Sequence, residues 1–181
     1  MIKIEQGYEK KIMPERSLQV RRVVMCGLCM ALILVVTRFS AIPLPFVSGA
    51  YINLGDSFVF GAAWLLGGLW GGLAAGMGSA LADLLLGAAL YAPATLIIKF
   101  VMALLAGLLF EKTKGKVFLE LLVMFVGGLV MTAGYFIYEC FLAGVGAAAP
   151  SLLFNLIQAA AGALAGLLLV RVAKRFPQLK A

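Results

Sequence analysis

The chain has 181 residues, 64% of them hydrophobic and 13% charged, with a mean hydropathy of +1.07. A water-soluble domain is about a quarter charged and roughly half apolar, so this composition excludes most soluble enzymes and names a lipid bilayer as the solvent. Histidine is absent, which removes the commonest proton shuttle and metal ligand, and a formal net charge of +7 must be explained before it is read as affinity for nucleic acid.

The first seventeen residues are polar and mix Lys3, Lys10, Lys11 and Arg16 with Glu5, Glu9 and Glu15, which reads as a cytoplasmic leader. Arg21 and Arg22 then precede an apolar run that ends at Thr37 and Arg38. A cleavable signal peptide is one reading of that run, and an uncleaved first span over 18–37 is the favoured one. Cys26 and Cys29 lie three apart on it and read as small buried hydrophobes rather than half of a metal site, and Cys140 adds no disulfide framework. Gly27 and Ala31 form a small-x-x-x-small pair on the same helix, suited to close approach of a partner helix or to packing within the bundle. The loop from Arg38 to Gly55 holds Pro43, Pro45, Tyr51 and Asn53 and is long enough to fold over a pocket.

Ser57 to Leu90 reads either as one overlong helix with an end loop or as two short helices, and the basic residues decide between them. Short-loop lysines and arginines collect on the cytoplasmic side; here they form three clusters: the N-terminal six, then Lys112, Lys114 and Lys116, then Arg171, Lys174, Arg175 and Lys180. For all three to face one way, an even number of spans must precede Glu111. The long segment is therefore two short helices turning at Gly67-Gly68 and Gly71-Gly72, and helices are expected near 57–69, 71–89, 93–110, 117–142 and 151–173. The expectation is an all-α, single-domain integral membrane bundle of six transmembrane helices with both termini cytoplasmic. Of the 15 basic residues, 13 fall on that face, so the charge is an orientation signal and no nucleic-acid partner is implied.

Inside the spans each later helix carries one polar stripe at helical spacing: Ser79 and Asp83, then Thr95 and Lys99, then Thr132, Tyr135 and Glu139, then Ser151, Asn155 and Gln158. Given the alternating helix directions, all four stripes lie in the extracellular half. Lys99 sits roughly 9 Å below the start of its helix at Pro93, at 1.5 Å per residue, and an ionisable group at that depth faces a cavity or a partner. The functional reading is an outward polar pocket with Asp83, Lys99, Glu139, Asn155 and Gln158 as donors and acceptors. The structural alternative is a register-fixing ion pair of Lys99 with Asp83 or Glu139. Tyr91 offers a flat face to a planar ligand, although taken alone it reads as an interfacial anchor. No Walker-type loop is present, since Gly115-Lys116 is followed by Val117. Nucleotide hydrolysis, if any, belongs to another subunit.

Together, the Gly27–Ala31 pair, Gly49-Ala-Tyr-Ile-Asn-Leu-Gly-Asp56, Gly78-Ser-Ala-Leu-Ala-Asp83 and Tyr91-Ala-Pro-Ala-Thr-Leu-Ile-Ile-Lys99 resemble the substrate-binding S components of energy-coupling-factor (ECF) vitamin transporters. The resemblance covers nearly the whole chain and is nearest to the hydroxymethylpyrimidine or pyridoxine branch, with riboflavin and pantothenate branches left open. It implies a non-enzymatic, multi-pass subunit in a bacterial or archaeal cell membrane that captures a vitamin or precursor. It also implies docking through the first helix on a transmembrane T component and ATP use by two nucleotide-binding subunits, with no cofactor or metal in this chain. The family's usual Ala-x-x-x-Ala has Gly27 in its first place here, which preserves close approach. With Asn53 and Asp56 from the loop motif, the expected substrate-binding set is Asn53, Asp56, Asp83, Tyr91, Lys99, Tyr135, Glu139, Asn155 and Gln158, and Gly27 and Ala31 are the docking pair. An autonomous ion- or proton-coupled carrier using Asp83, Glu139 and Lys99, and a purely structural membrane protein, are the competing readings.

Overall fold

The computed structural model describes residues 15–45, 48–176 and 178; most of the leader expected over residues 1–17, and Lys180, lie outside them. The described chain forms six helices: α1 Glu15–Ser40, α2 Gly55–Leu66, α3 Gly68–Leu85, α4 Ala92–Phe110, α5 Val117–Ala143 and α6 Val145–Ala173. Between α1 and α2 the strands β1 (Ile42–Pro43) and β2 (Tyr51–Ile52) pair antiparallel, Ile42 opposite Ile52 and Pro43 opposite Tyr51.

Glycines set the turns. Gly67, at φ 79°, separates α2 from α3, and its N–H donates to Ala63 O at 3.1 Å; the left-handed region is open to glycine at little cost. The hairpin therefore turns on this one residue, and Gly71-Gly72 lies within α3. Pro93 occupies the first turn of α4, where a missing N–H costs nothing. At Gly144, φ 80°, α5 gives way directly to α6. The last helix therefore starts at Val145 rather than near residue 151, and Pro150 is taken into its second turn.

α4 packs most extensively on α3 and α6 on α5. The α3–α4 seam is backbone against backbone: a Cβ on Gly76 would fall 2.6 Å from Leu96 O, and one on Gly107 would fall 2.5 Å from Gly68 N. Small residues permit that approach, and in lipid it is packing that holds helices together. Val59, Phe60, Met102, Met124 and Met131 are fully buried at the centre. The outer face is apolar as well, with Leu28, Leu32, Ile97, Leu108, Phe125 and Leu168 exposed. This inside-and-out apolarity is what a membrane bundle requires.

Among the described residues four helices are long and apolar enough to cross a membrane: α1, α4 with the turn that follows it, α5 and α6. α2 is apolar but only 12 residues long, about 18 Å at 1.5 Å per residue. The two ends of the bundle differ. One carries Lys112, Lys114, Lys116, Arg171 and Lys174 around the buried Glu120, which pairs with Arg171 Nη2 at 2.8 Å and with Lys174. The other carries the β1–β2 hairpin, the α3–α4 turn and the polar stripes.

Candidate functional site

The polar site assembles at the hairpin end because four helices deliver their stripes to the same level there. Asn53 accepts the Gly55 N–H on its Oδ1 at 2.8 Å, turning the chain into α2. This places Asp56 in the first turn of that helix, where the helix dipole favours a carboxylate. The close approach of α6 at this point needs Gly162, since a Cβ there would fall 2.7 Å from Asp56 Cβ.

Lys99 of α4 is paired with Asp56, their side chains only 3% and 1% exposed. The ion pair of the structural alternative is therefore present with a different partner: the carboxylate comes from Asp56 at the start of α2 and not from Asp83 or Glu139. Gln158 completes the unit. Its Nε2 donates to Asp56 Oδ2 at 2.7 Å, and its Oε1 accepts the Asn53 N–H at 2.7 Å, so α6 ties the loop to the ion pair. Met131 Sδ lies 2.9 Å from Lys99 Nζ.

Beside this unit is a small cavity, about 20 Å³, lined by Leu44, Gly49, Ala50, Tyr51, Asn53, Asp83, Tyr91, Thr95, Tyr135, Glu139, Asn155 and Gln158. Seven of the nine expected binding residues thus converge on one space. Asp56 and Lys99 do not line it. Tyr51, Leu44, Gly49 and Ala50 come from the loop and Thr95 from α4. Of these, Tyr51 and Thr95 stand out in the sequence as loop aromatic and stripe member, whereas Leu44, Gly49 and Ala50 carry no chemical signal and are found only through the fold.

Around the cavity, the Tyr51 hydroxyl donates to Asp83 Oδ1, the Tyr91 hydroxyl reaches Glu139 Oε1 at 3.4 Å, and Thr95 Oγ1 and the Tyr135 hydroxyl are 3.0 Å apart. Burial, and then the neighbouring Asp83 carboxylate, push the Tyr51 phenol well above its ordinary range, so it remains a donor. Tyr91 is buried, 5.5 Å from Tyr138 in an edge-to-face contact. It lines the cavity with little of its surface exposed. Among the described residues no hydrogen bond of good geometry reaches the buried Asp83 Oδ2, Glu139 Oε2 or Ser151 Oγ, with the Thr95 hydroxyl beside Asp83 and Ser151 beside Glu139.

Far from the cavity, Gly27 and Ala31 are exposed on α1, and a Cβ on Gly27 would meet nothing within 4 Å. The pair is not a packing contact inside the bundle. Cys26 and Cys29 on the opposite face are buried in the core.

A family described as "ECF-type riboflavin transporter, S component" matches residues 17–175. The chain belongs to this family. As an S component it is a membrane transport subunit and not an enzyme. It is similar to an "Uncharacterized protein in gap 3'region" of Pyrococcus woesei, 36% identical over 134 residues that make up 73% of this chain and 87% of that protein. In fold it is similar to the crystal structure at 2.1 Å of the S component for biotin from an ECF-type ABC transporter. The TM-score is 0.71 and the identity 22%, over 92% of this chain and 95% of that one.

Proposed function

We propose that this S component is the substrate-capturing subunit of an ATP-driven ECF importer in the plasma membrane, and that its cavity takes a small vitamin or precursor such as hydroxymethylpyrimidine or pyridoxine. In this reading all six helices form one membrane-embedded domain, the shorter α2 and α3 included, with both termini cytoplasmic and the cavity facing outward. The observation that carries it is the convergence of buried polar side chains from α3, α4, α5 and α6 under one loop, at the end opposite the basic residues. Such a convergence in an apolar bundle is a binding site by default.

A cavity of about 20 Å³ has room for little more than a water. Loading a ring-sized ligand therefore involves displacement of the loop that carries Leu44, Ala50 and Tyr51, which supports its role as a lid. The exposed Gly27 and Ala31 present α1 backbone to a T component, and nucleotide-binding subunits supply ATP hydrolysis. An autonomous carrier needs a polar route through the other half of the bundle. The centre is instead filled by Val59, Phe60, Met102 and Met124.

The purified chain, reconstituted alone, should bind its vitamin at equilibrium and fail to accumulate it in liposomes. Gradient-driven accumulation by the chain alone would overturn the proposal in favour of the carrier.

A further inference from the structure

Asp83 and Glu139 reach the cavity from α3 and α5 with residue exposures of 1% and 2%. Each keeps one carboxylate oxygen, Oδ2 and Oε2, without a hydrogen bond of good geometry among the described residues, the neighbouring hydroxyls being those of Thr95 and Ser151. A buried acceptor left unpaired is costly, and native structures tolerate it where something else supplies the donor. The remaining oxygens are already occupied by the Tyr51 and Tyr91 hydroxyls, which hold the two carboxylates in place.

The charges nearby are unbalanced. Lys99 is engaged by Asp56, and Arg38 is exposed on a separate crevice of the loop. Asp83 and Glu139 therefore face the cavity without an ion-pair partner among the described residues. A carboxylate ligand would set acceptor against acceptor at their two open oxygens. Among the described residues no group of three or more His, Cys, Asp and Glu is placed to hold a metal ion, and ligand N–H groups are donors of the kind these two oxygens lack. The walls suit a flat ring: Tyr91 and Tyr135 have centroids 6.5 Å apart at 44°, and aromatic faces attract planar and cationic groups.

Resting on the reading of the chain as a vitamin-capturing subunit, we infer that its substrate is a planar nitrogen heterocycle bearing an amine or a protonated ring nitrogen. That ligand donates to Asp83 Oδ2 and Glu139 Oε2, and carboxylate-bearing vitamins are refused. The cavity differs in this respect from what the fold relative's ligand, biotin, would need, because biotin carries a carboxylate.

The test is equilibrium binding to the full chain in nanodiscs, with five probes: hydroxymethylpyrimidine, which carries an exocyclic amine; its deaminated isostere, with a carbonyl in place of that amine; biotin; pantothenate; and riboflavin. The amine-bearing ring should bind at least ~100-fold more tightly than its isostere, since exchanging a donor for an acceptor leaves both buried groups unpaired. Asp83→Asn and Glu139→Gln, each checked for a monodisperse fold by size exclusion, should each weaken it by roughly 10-fold or more. Preferred binding of biotin, pantothenate or riboflavin, or equal binding of the amine and its isostere, overturns this inference and leaves the capture function standing. Absence of binding by all five and by pyridoxine, whose ring nitrogen protonates, overturns both.

Discussion

A lysine ammonium deep in an apolar bundle needs a partner, and Lys99 has Asp56, itself held by Gln158. Removing one member leaves an uncompensated buried charge, which costs about 3–5 kcal/mol. Lys99→Met should therefore lower the thermal midpoint of the purified protein sharply, and adding Asp56→Asn should return most of the loss. Equal destabilisation in the single and double variants would contradict the pairing. Gln158→Ala removes a partner from both Asp56 Oδ2 and the Asn53 N–H. It should cost about 1–3 kcal/mol and speed hydrogen exchange in residues 48–54 while leaving the opposite end of the bundle unchanged. The depth of Lys99 is legible in the sequence because rise per residue places a side chain along its own helix. Its partner is not, because the lateral neighbour depends on how helices are arranged around one another. Asp56 also sits in the first turn of a helix whose start reads from composition as Ser57, which hides it in the loop.

The four polar stripes are legible because helical spacing puts Ser79 with Asp83 and Thr95 with Lys99 whatever the fold. What periodicity does not carry is contact between elements. The glycines of α3 announce close packing, and the structure shows that the contact is with α4, where Gly76 lies against Leu96 O. Gly76→Ala forces those backbones apart and should cost ~1–3 kcal/mol, as overpacking generally does. Gly146→Ala, where a Cβ meets nothing within 4 Å, should be close to neutral by the same thermal assay. Loss of equal size at both positions would contradict the packing explanation, since helix propensity alone favours alanine over glycine at both. Helix limits were less legible where a glycine permits an abrupt turn, as at Gly144, because apolar composition continues across it.

Across the whole molecule, the two faces of α1 separate holding the bundle together from meeting a partner: Cys26, Cys29 and Ile33 are buried while Gly27, Ala31 and Leu28 face outward. Gly27→Leu should leave fold and ligand affinity intact and abolish co-purification with the T component; retained assembly with unchanged uptake would remove α1 from the docking surface. The membrane class and basic-end asymmetry follow from composition and charge alone, since they depend on sums over many residues. The cavity wall contributed by Leu44, Gly49 and Ala50 does not, since those residues have no chemistry to mark them. Mass spectrometry of whatever co-purifies with the chain is the most direct test of whether the cavity beneath that loop captures a small molecule. The wild-type protein should carry one defined vitamin-sized compound, near one per chain, and the Asp83→Asn, Glu139→Gln double variant should carry none. An empty wild-type protein, or a double variant that retains the same compound, would contradict it.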